Sequence, residues 1–343
     1  MRLKKELTLK DISKMAGVSH TTVSRVLNGA GNVKPETYER IMSICRETGF
    51  TMNAVARQLK TRTSNTIGII MPDITNAHTG ALIRNIEWKF RQQDFNVSIS
   101  SSFFDYRIEE QNIQALLESR ADGIIIFGVG DQTYQCLQKY VNRIPIVFMG
   151  DNVTENLVSK ITVDNYQGTV IGTRYLLELG HRHLAFLGGR ESSITHRKRR
   201  AGFMDTVVAA GVEYEAIPSV AGDGIEDGYR TAAAYFESCK KRGKAPATGL
   251  MSINDSFALG IMQGAMEFGI EIPGQMSLIG FDDISYASLP KIQLTTMAQP
   301  REALSEFAVN TLIKLIHEDR ARLYSEILEP KLIQRETCVR LLE

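Results

Sequence analysis

The chain has 343 residues, of which 43% are hydrophobic and 23% charged, values that exclude disordered, collagenous and disulfide-rich classes. Its formal charge is +1, and its four cysteines, Cys45, Cys136, Cys239 and Cys338, form no CxxC pair, so neither a disulfide framework nor a structural zinc site is expected. The length suits two or three domains with a buried core, and no apolar run approaches the roughly 18 residues of a membrane span.

The charge is unevenly distributed. Residues 1–62 hold twelve Lys and Arg against five Asp and Glu, a net of +7, which leaves −6 for the remainder. A small basic head on an acidic body points to a polyanionic partner for the head. The N-terminus shows no apolar export signal, so a reducing cytoplasm is expected.

Three short helices are predicted in the head. Thr8 and Asp11 read as a capping box, followed by Leu9, Ile12, Met15 and Ala16 at helical spacing until Gly17. Ser19 is a good N-cap for a second helix, with Val18 and Val23 as its hydrophobic staple. Val23, Val26 and Leu27 then face inward and His20, Thr21 and Arg25 outward. The Gly-Val turn, with small Ser13 and Ala16 at the expected crossing, describes a helix-turn-helix. Such a unit reads base edges with polar side chains near the start of its second helix. Pro35 opens a third helix whose stripe is Tyr38, Ile41, Ile44 and Cys45, ending at Gly49. Residues 53–60, NAVARQLK, favour a helix too short to stand alone in water. Its apolar Ala56 and Leu59 beside Arg57 and Lys60 suit either a minor-groove wedge or a plain linker helix.

The stretch LTLKDISKMAGVSHTTVSRVLNG, then VKPETYERI, NAVARQLK and TIGIIMPDITN, resembles the LacI/GalR family of bacterial transcription regulators, and the resemblance runs along the whole chain. It implies a recognition helix containing Ser19, His20, Thr21, Thr22, Ser24 and Arg25, with His20, Thr21 and Arg25 as base readers. Thr8, Asn28, Asn53, Ala56, Arg57, Leu59 and Lys60 complete the expected DNA-facing set, Leu59 matching the family's inserted hinge leucine. Met52 stands where the family usually has proline.

Beyond residue 66, apolar runs alternate with helical stretches: TIGIIM, NVSISS, GIIIF and PIVFM, then HLAFLGG, TGLMSI and MSLIGF. This pattern predicts two doubly wound parallel-sheet α/β lobes, with a compositional break near Asp164 to Gly168. Ligands of such sheets lie beyond the strands' carboxyl ends. The polar residues there are Asp73 to Thr79, Gly150 and Asp151, Asn254 and Asp255, and Asp282 and Asp283. They suit a hydroxyl-bearing ligand, a sugar or a nucleoside.

Enzymatic signals are weak. Gly222-Asp-Gly224 lacks a P-loop lysine and reads as a turn into a helix; His181-Arg-His183 has no further metal ligands at useful spacing and reads as a helix-to-strand turn; no GxSxG is present. Adjacent Asp282 and Asp283 are expected to point apart. No catalytic activity, cofactor or metal is expected.

By resemblance the body is similar to type I periplasmic sugar-binding proteins, two lobes joined by three crossovers, and the effector contacts are Asp282, Asn254 and Arg199. Asp73, His78, Thr79 and Asp151 complete the expected effector set. His78 and Thr79 stand where many relatives carry an aromatic pair, and Gly224 where they carry another aromatic. In the run His196 to Arg200, only Arg199 is expected to turn inward, the alternative being a phosphate site.

The expected organisation is an all-α helix-turn-helix head at 1–52, a hinge at 53–62 and a periplasmic-binding-protein-type body at 63–343. Its N-lobe is placed at about 63–162 plus 293–322 and its C-lobe at about 163–292 plus 323–343. The expected function is a carbohydrate-gene repressor. As a homodimer it would bind a pseudo-palindromic operator on double-stranded DNA, with an affinity changed by a small-molecule sugar effector. The alternatives are a regulator answering a phosphorylated sugar or nucleoside, a sugar receptor that does not bind DNA, and an α/β enzyme. The C-terminal LIQRETCVRLLE lacks the leucine heptads of a tetramerising coiled coil, and the family resemblance then implies a dimer.

Overall fold

The computed structural model describes residues 7–27, 33–50, 63–128, 131–151, 157–219, 222–318 and 322–341. They form two compact units, one ending at Ser64 and the other beginning at Asn65.

In the first unit, α1 (Leu9–Ala16) starts at a reciprocal cap. The Thr8 N–H and hydroxyl donate to Asp11 Oδ2 at 2.9 and 2.6 Å, and the Asp11 N–H donates to Thr8 Oγ1 at 3.3 Å. Gly17 ends it at φ +63°, a left-handed conformation that costs glycine little. In α2 (His20–Leu27), the Thr22 N–H donates to Ser19 Oγ at 3.1 Å. α3 (Pro35–Thr48) follows, with proline at its first position, where no N–H bond is lost. Ile12, Ala16, Val23, Val26, Ile41 and Cys45 are buried together, with Leu9, Val18, Leu27, Met42 and Ile44 partly covered around them. Two positions expected on the apolar faces lie outside this core: Met15 is 54% and Tyr38 42% exposed. Three short helices enclose little volume, so α3 buries Ile41 and Cys45 and turns Tyr38 out.

The second unit contains two six-stranded sheets. The first comprises β1 (Thr66–Met71), β2 (Asn96–Ser101), β3 (Gly123–Phe127), β4 (Ile146–Met149), β5 (Ser159–Val163) and β11 (Ser325–Leu328), in the order β11-β5-β4-β3-β1-β2. The second comprises β6 (His183–Leu187), β7 (Glu213–Ile217), β8 (Gly249–Ser252), β9 (Ser277–Asp282), β10 (Thr295–Ala298) and β12 (Lys331–Ile333), in the order β12-β10-β9-β8-β6-β7. Among the described residues only the β10–β12 pair is antiparallel.

Burial on both faces explains why central strands such as β1 and β3 are apolar throughout. On β1, Ile67, Ile69 and Met71 pack against Ile83, Ile86 and Phe90 of α4 (Ala77–Arg91) and Leu304, Ala308 and Leu312 of α11 (Arg301–His317). Ile70 on the other face meets Ile113 and Leu116 of α5 (Tyr106–Glu118). The short helix α6 (Asp131–Leu137) covers the same face. The second sheet is sandwiched likewise by α7 (Asn165–Glu178), α8 (Ile194–Ala210), α9 (Ile225–Arg242) and α10 (Asp255–Glu267). Among the described residues no helix is long and apolar enough to cross a membrane.

The chain crosses between sheets three times: from β5 to α7, from β10 to α11 and from β11 to β12. The lobe boundaries expected near 293 and 323 therefore need correction. β10 belongs to the second sheet and β11 to the first, so these crossovers fall near 299 and 329. Neither strand carries an apolar run. β10 buries Thr295 and Thr296, whose hydroxyls find internal partners, and β11 is an exposed edge, so neither shows the hydrophobic period that marks a strand.

Candidate functional sites

On α2, His20, Thr21 and Arg25 are exposed opposite buried Val23 and Val26, giving one polar face on a helix anchored by its other side. Among the described residues neither His20 nor Arg25 has a salt-bridge partner. Ser19 caps the helix, and its hydroxyl lies 2.7 and 2.8 Å from the Thr21 and Thr22 hydroxyls, so it orders the start of this polar face. Thr8 is likewise engaged with Asp11, and Ser24 is partly buried. Asn28, Met52, Asn53, Ala56, Arg57, Leu59 and Lys60, and with them the expected hinge, lie outside the described residues.

A cleft of about 180 Å³ lies between the carboxyl ends of the two sheets in the second unit. Of the seven expected effector residues, His78, Thr79, Arg199, Asn254 and Asp282 line it. Asp73 lines an adjoining chamber, and its carboxylate closes the following turn by accepting from the Thr75 N–H and hydroxyl, both at 2.8 Å. Asp151 stands behind the wall, 3% exposed, and accepts from Asn165 Nδ2 at 2.8 Å, Thr195 Oγ1 at 3.2 Å and Lys198 Nζ at 2.6 Å. It supports the wall and does not line the cleft.

Arg199 joins three segments beneath the cleft. Its Nε donates to Asn165 Oδ1 at 2.8 Å, its Nη1 to the Ile253 carbonyl at 2.6 Å and its Nη2 to Asp282 Oδ1 at 3.3 Å, and its guanidinium lies 3.6 Å from the centre of the Phe281 ring. Burial lowers its pKa and the Asp282 carboxylate opposes that shift. Gln299 Nε2 donates to the same Asp282 oxygen at 2.7 Å. Asp282 and Asp283 have φ of +117° and +53°, strained for residues with a Cβ, and this turn sends the two carboxylates apart. Asp282 faces the cleft, whereas Asp283 receives Arg335 Nη2 at 2.6 Å. Asn254 is an N-cap, with Oδ1 accepting from the Phe257 N–H at 2.7 Å and Nδ2 donating to the Asp223 carbonyl at 3.1 Å.

Both cleft histidines are neutral near pH 7. His196 Nδ1 accepts the Arg190 N–H at 3.1 Å, which assigns the proton to Nε2, 3.5 Å from Asp223 Oδ2. Burial, together with Arg199 and Arg190, pushes its pKa down to about 3. Burial also lowers the pKa of His78, with Asp282 opposing, and His78 Nδ1 is buried with no hydrogen-bond partner among the described residues. Asp223 is shifted upward by burial, against the pull of Arg190.

The lining residues that the sequence did not assign to the cleft include Asn165, Thr195, His196, Asp223 and Gln299. Asp223 was visible in Gly222-Asp-Gly224, which does turn into α9 with Gly224 as its N-cap. His196 corrects the expectation that only Arg199 turns inward from the basic run. Three residues apart on one helix, the two share a face. Lys198 is held by Asp151, Arg200 pairs with Glu191 and Arg197 donates to the Glu191 carbonyl. His183 opens β6, and buried His181 just before it is bonded to Thr248 at 3.0 Å and Ser277 at 2.9 Å.

Two family models match the chain: bacterial regulatory proteins of the lacI family over residues 8–53, and a periplasmic binding protein-like domain over 173–338. The fold aligns with a solved structure of the Lac repressor dimer bound to operator and an anti-inducer, with a TM-score of 0.85 at 27% identity. The alignment covers 98% of this chain and 100% of that one. Along nearly its whole length the chain is similar to LacI-family regulators, joining a lacI-type helix-turn-helix region to a periplasmic-binding-protein-like domain. Among LacI-family relatives, catabolite control protein A of Priestia megaterium is 29% identical over 315 residues, 91% of this chain and 93% of that protein. The ribose operon repressor of Haemophilus influenzae is 28% identical over 330 residues, 96% and 98% respectively. These LacI-family relatives are transcriptional regulators.

Proposed function

We propose that this protein is a cytoplasmic, sequence-specific transcriptional repressor of the LacI family that binds a pseudo-palindromic operator as a homodimer and answers a small carbohydrate effector. The observation that carries this reading is the polar face of α2, where His20, Thr21 and Arg25 stand exposed above a buried apolar face. A helix presented in this way enters the major groove and reads base edges, and a two-fold dimer accounts for a palindromic site. The +7 charge of residues 1–62 adds a sequence-independent attraction to phosphates.

The effector reading rests on the donor and acceptor groups of the cleft, Arg199, Asp282, Gln299, Asn165 and Thr195, which suit neighbouring hydroxyls. Both lobes contribute to the cleft, so a ligand touching both biases their relative arrangement, and linkage requires DNA and effector to influence each other equally. Arg57, Leu59 and Lys60 are proposed to contact the minor groove at the centre of the operator. Selection of binding sites from random duplex DNA, followed by footprinting, tests the proposal. Enrichment of a palindrome whose affinity changes on adding a sugar supports it, and failure to enrich any palindrome at physiological salt refutes it.

A further inference from the structure

The cleft continues into a second chamber of about 150 Å³, and the two share Asn76, Thr79, Thr195, His196 and Asp223 as common walls. The chambers differ in chemistry. The inner end holds Arg199, Asp282 and Gln299, and Arg199 and Gln299 both donate to Asp282 Oδ1, while Oδ2 takes no hydrogen bond among the described residues. At the outer end stand Arg190 and Phe104, contributed by different lobes. The Arg190 guanidinium lies 3.9 Å from the centre of the Phe104 ring and 3.7 Å from Asp223, and its Nε is buried with no hydrogen-bond partner among the described residues. Phe103 and Phe104 have φ of +52° and +63°, so the backbone holds a strained turn where the Phe104 ring meets Arg190.

Resting on the effector reading above, we infer that the cleft takes an uncharged two-ring carbohydrate, one ring at Arg199 and Asp282 and the second under Arg190 and Phe104. The lining groups and their charge both lead there. The inner chamber, of about 180 Å³, presents the groups that suit one ring, and the adjoining chamber, of about 150 Å³, presents a separate set for another. The apolar C–H face of a pyranose suits the Phe104 ring, while the unsatisfied Arg190 Nε and the hydroxyls of Ser193 and Thr195 supply partners for its edge.

The charged groups lining the chambers are Arg190 and Arg199 against Asp73, Asp223 and Asp282. Even with Asp223 protonated there is no positive excess, and Lys198 is already tied to Asp151. A phosphate ester would therefore enter a site with no uncompensated cation, which separates this inference from a phosphorylated effector.

Isothermal titration of the full-length protein tests it. The neutral probes are maltose, cellobiose, lactose, melibiose, sucrose and trehalose, compared with glucose, galactose and fructose and with glucose 6-phosphate and fructose 1,6-bisphosphate. At least one disaccharide should bind ten times more tightly than its own monosaccharides and than either phosphate ester. Phe104→Ala and Arg190→Met should each reduce that preference about tenfold, whereas Phe103→Ala, whose side chain lines neither chamber, should retain it; thermal melts of each variant verify folding. A monosaccharide or phosphate ester that binds as tightly as the best disaccharide, no disaccharide binding at all, or a preference that survives both substitutions overturns the inference. Asp282→Asn separates the two claims: if it leaves sugar binding undiminished, the cleft assignment itself fails. If it abolishes binding while rings and ring pairs bind alike in the wild type, only the two-ring inference fails.

Discussion

Replacing His196 with asparagine isolates one titrating group without emptying its place. The amide Oδ1 of the introduced side chain would sit near the position of the imidazole Nδ1 and could still accept the Arg190 N–H, but it takes up no proton. In the folded protein the histidine pKa is about 3, against 6.5 for the free side chain. Above pH 6.5 both states are neutral and the residue contributes no pH dependence. As pH falls from 6.5 towards 3, the unfolded chain gains a proton that the folded one refuses, so stability is lost. At pH 5 the difference is about 1.5 pK units, or about 2 kcal/mol at 1.36 kcal/mol per unit. His78 and His181 are shifted in the same direction, so the wild type should be more acid-labile than this one residue implies. Urea unfolding followed by circular dichroism at pH 7 and pH 5 measures it. The His196→Asn variant should lose about 2 kcal/mol less than the wild type across that interval. Equal losses in the two proteins would show that His196 is not held neutral in the fold, and the tautomer assignment would fall with it.

Other substitutions test separate layers of the structure. Arg199→Met leaves Asp282 buried without its cation and should destabilise the protein by about 3–5 kcal/mol in urea titrations, even without effector. In α10, a Cβ at Gly260 would press on the Ile225 carbonyl and the Tyr229 amide of α9, so Gly260→Ala should cost on the order of 3 kcal/mol, read as a lowered melting temperature. Thr8→Ala removes one half of the cap of α1 and should cost about 1 kcal/mol, seen as faster hydrogen exchange in that helix. Arg25→Ala should weaken binding to a selected operator by about tenfold or more, measured by fluorescence anisotropy, and should relax preference at one base pair.

The head was legible because its signals are local. Thr8 with Asp11, Gly17, Ser19 and Pro35 each act within a turn of chain, and each lies at the helix end where its chemistry is needed. Tyr38 and Met15 were misplaced because helical spacing gives a direction but not the width of the buried face, which depends on how much volume three short helices enclose. Seven strands were likewise visible as apolar or alternating runs, whereas β5, β7 and β12 went unread, and so did β10 and β11. One buries threonines that satisfy their own hydroxyls and the other is an exposed edge, so neither has a hydrophobic period to read.

The cleft divides in the same way. Asp282, Asn254 and the segment containing His78 sit at strand ends, where a sheet of this kind exposes its binding groups, and the order of residues was enough to nominate them. Asp151 also sits at a strand end, yet packing turns it behind the wall to meet Lys198, Thr195 and Asn165. The approach of His196 to Asp223, the Arg190–Phe104 contact and the approach of Gln299 to Asp282 likewise bring together residues from separate segments. Order along the chain settles caps, periods and charge, because those interactions span a few residues. The wall of a cleft is settled by how two sheets and their crossovers bring distant side chains together.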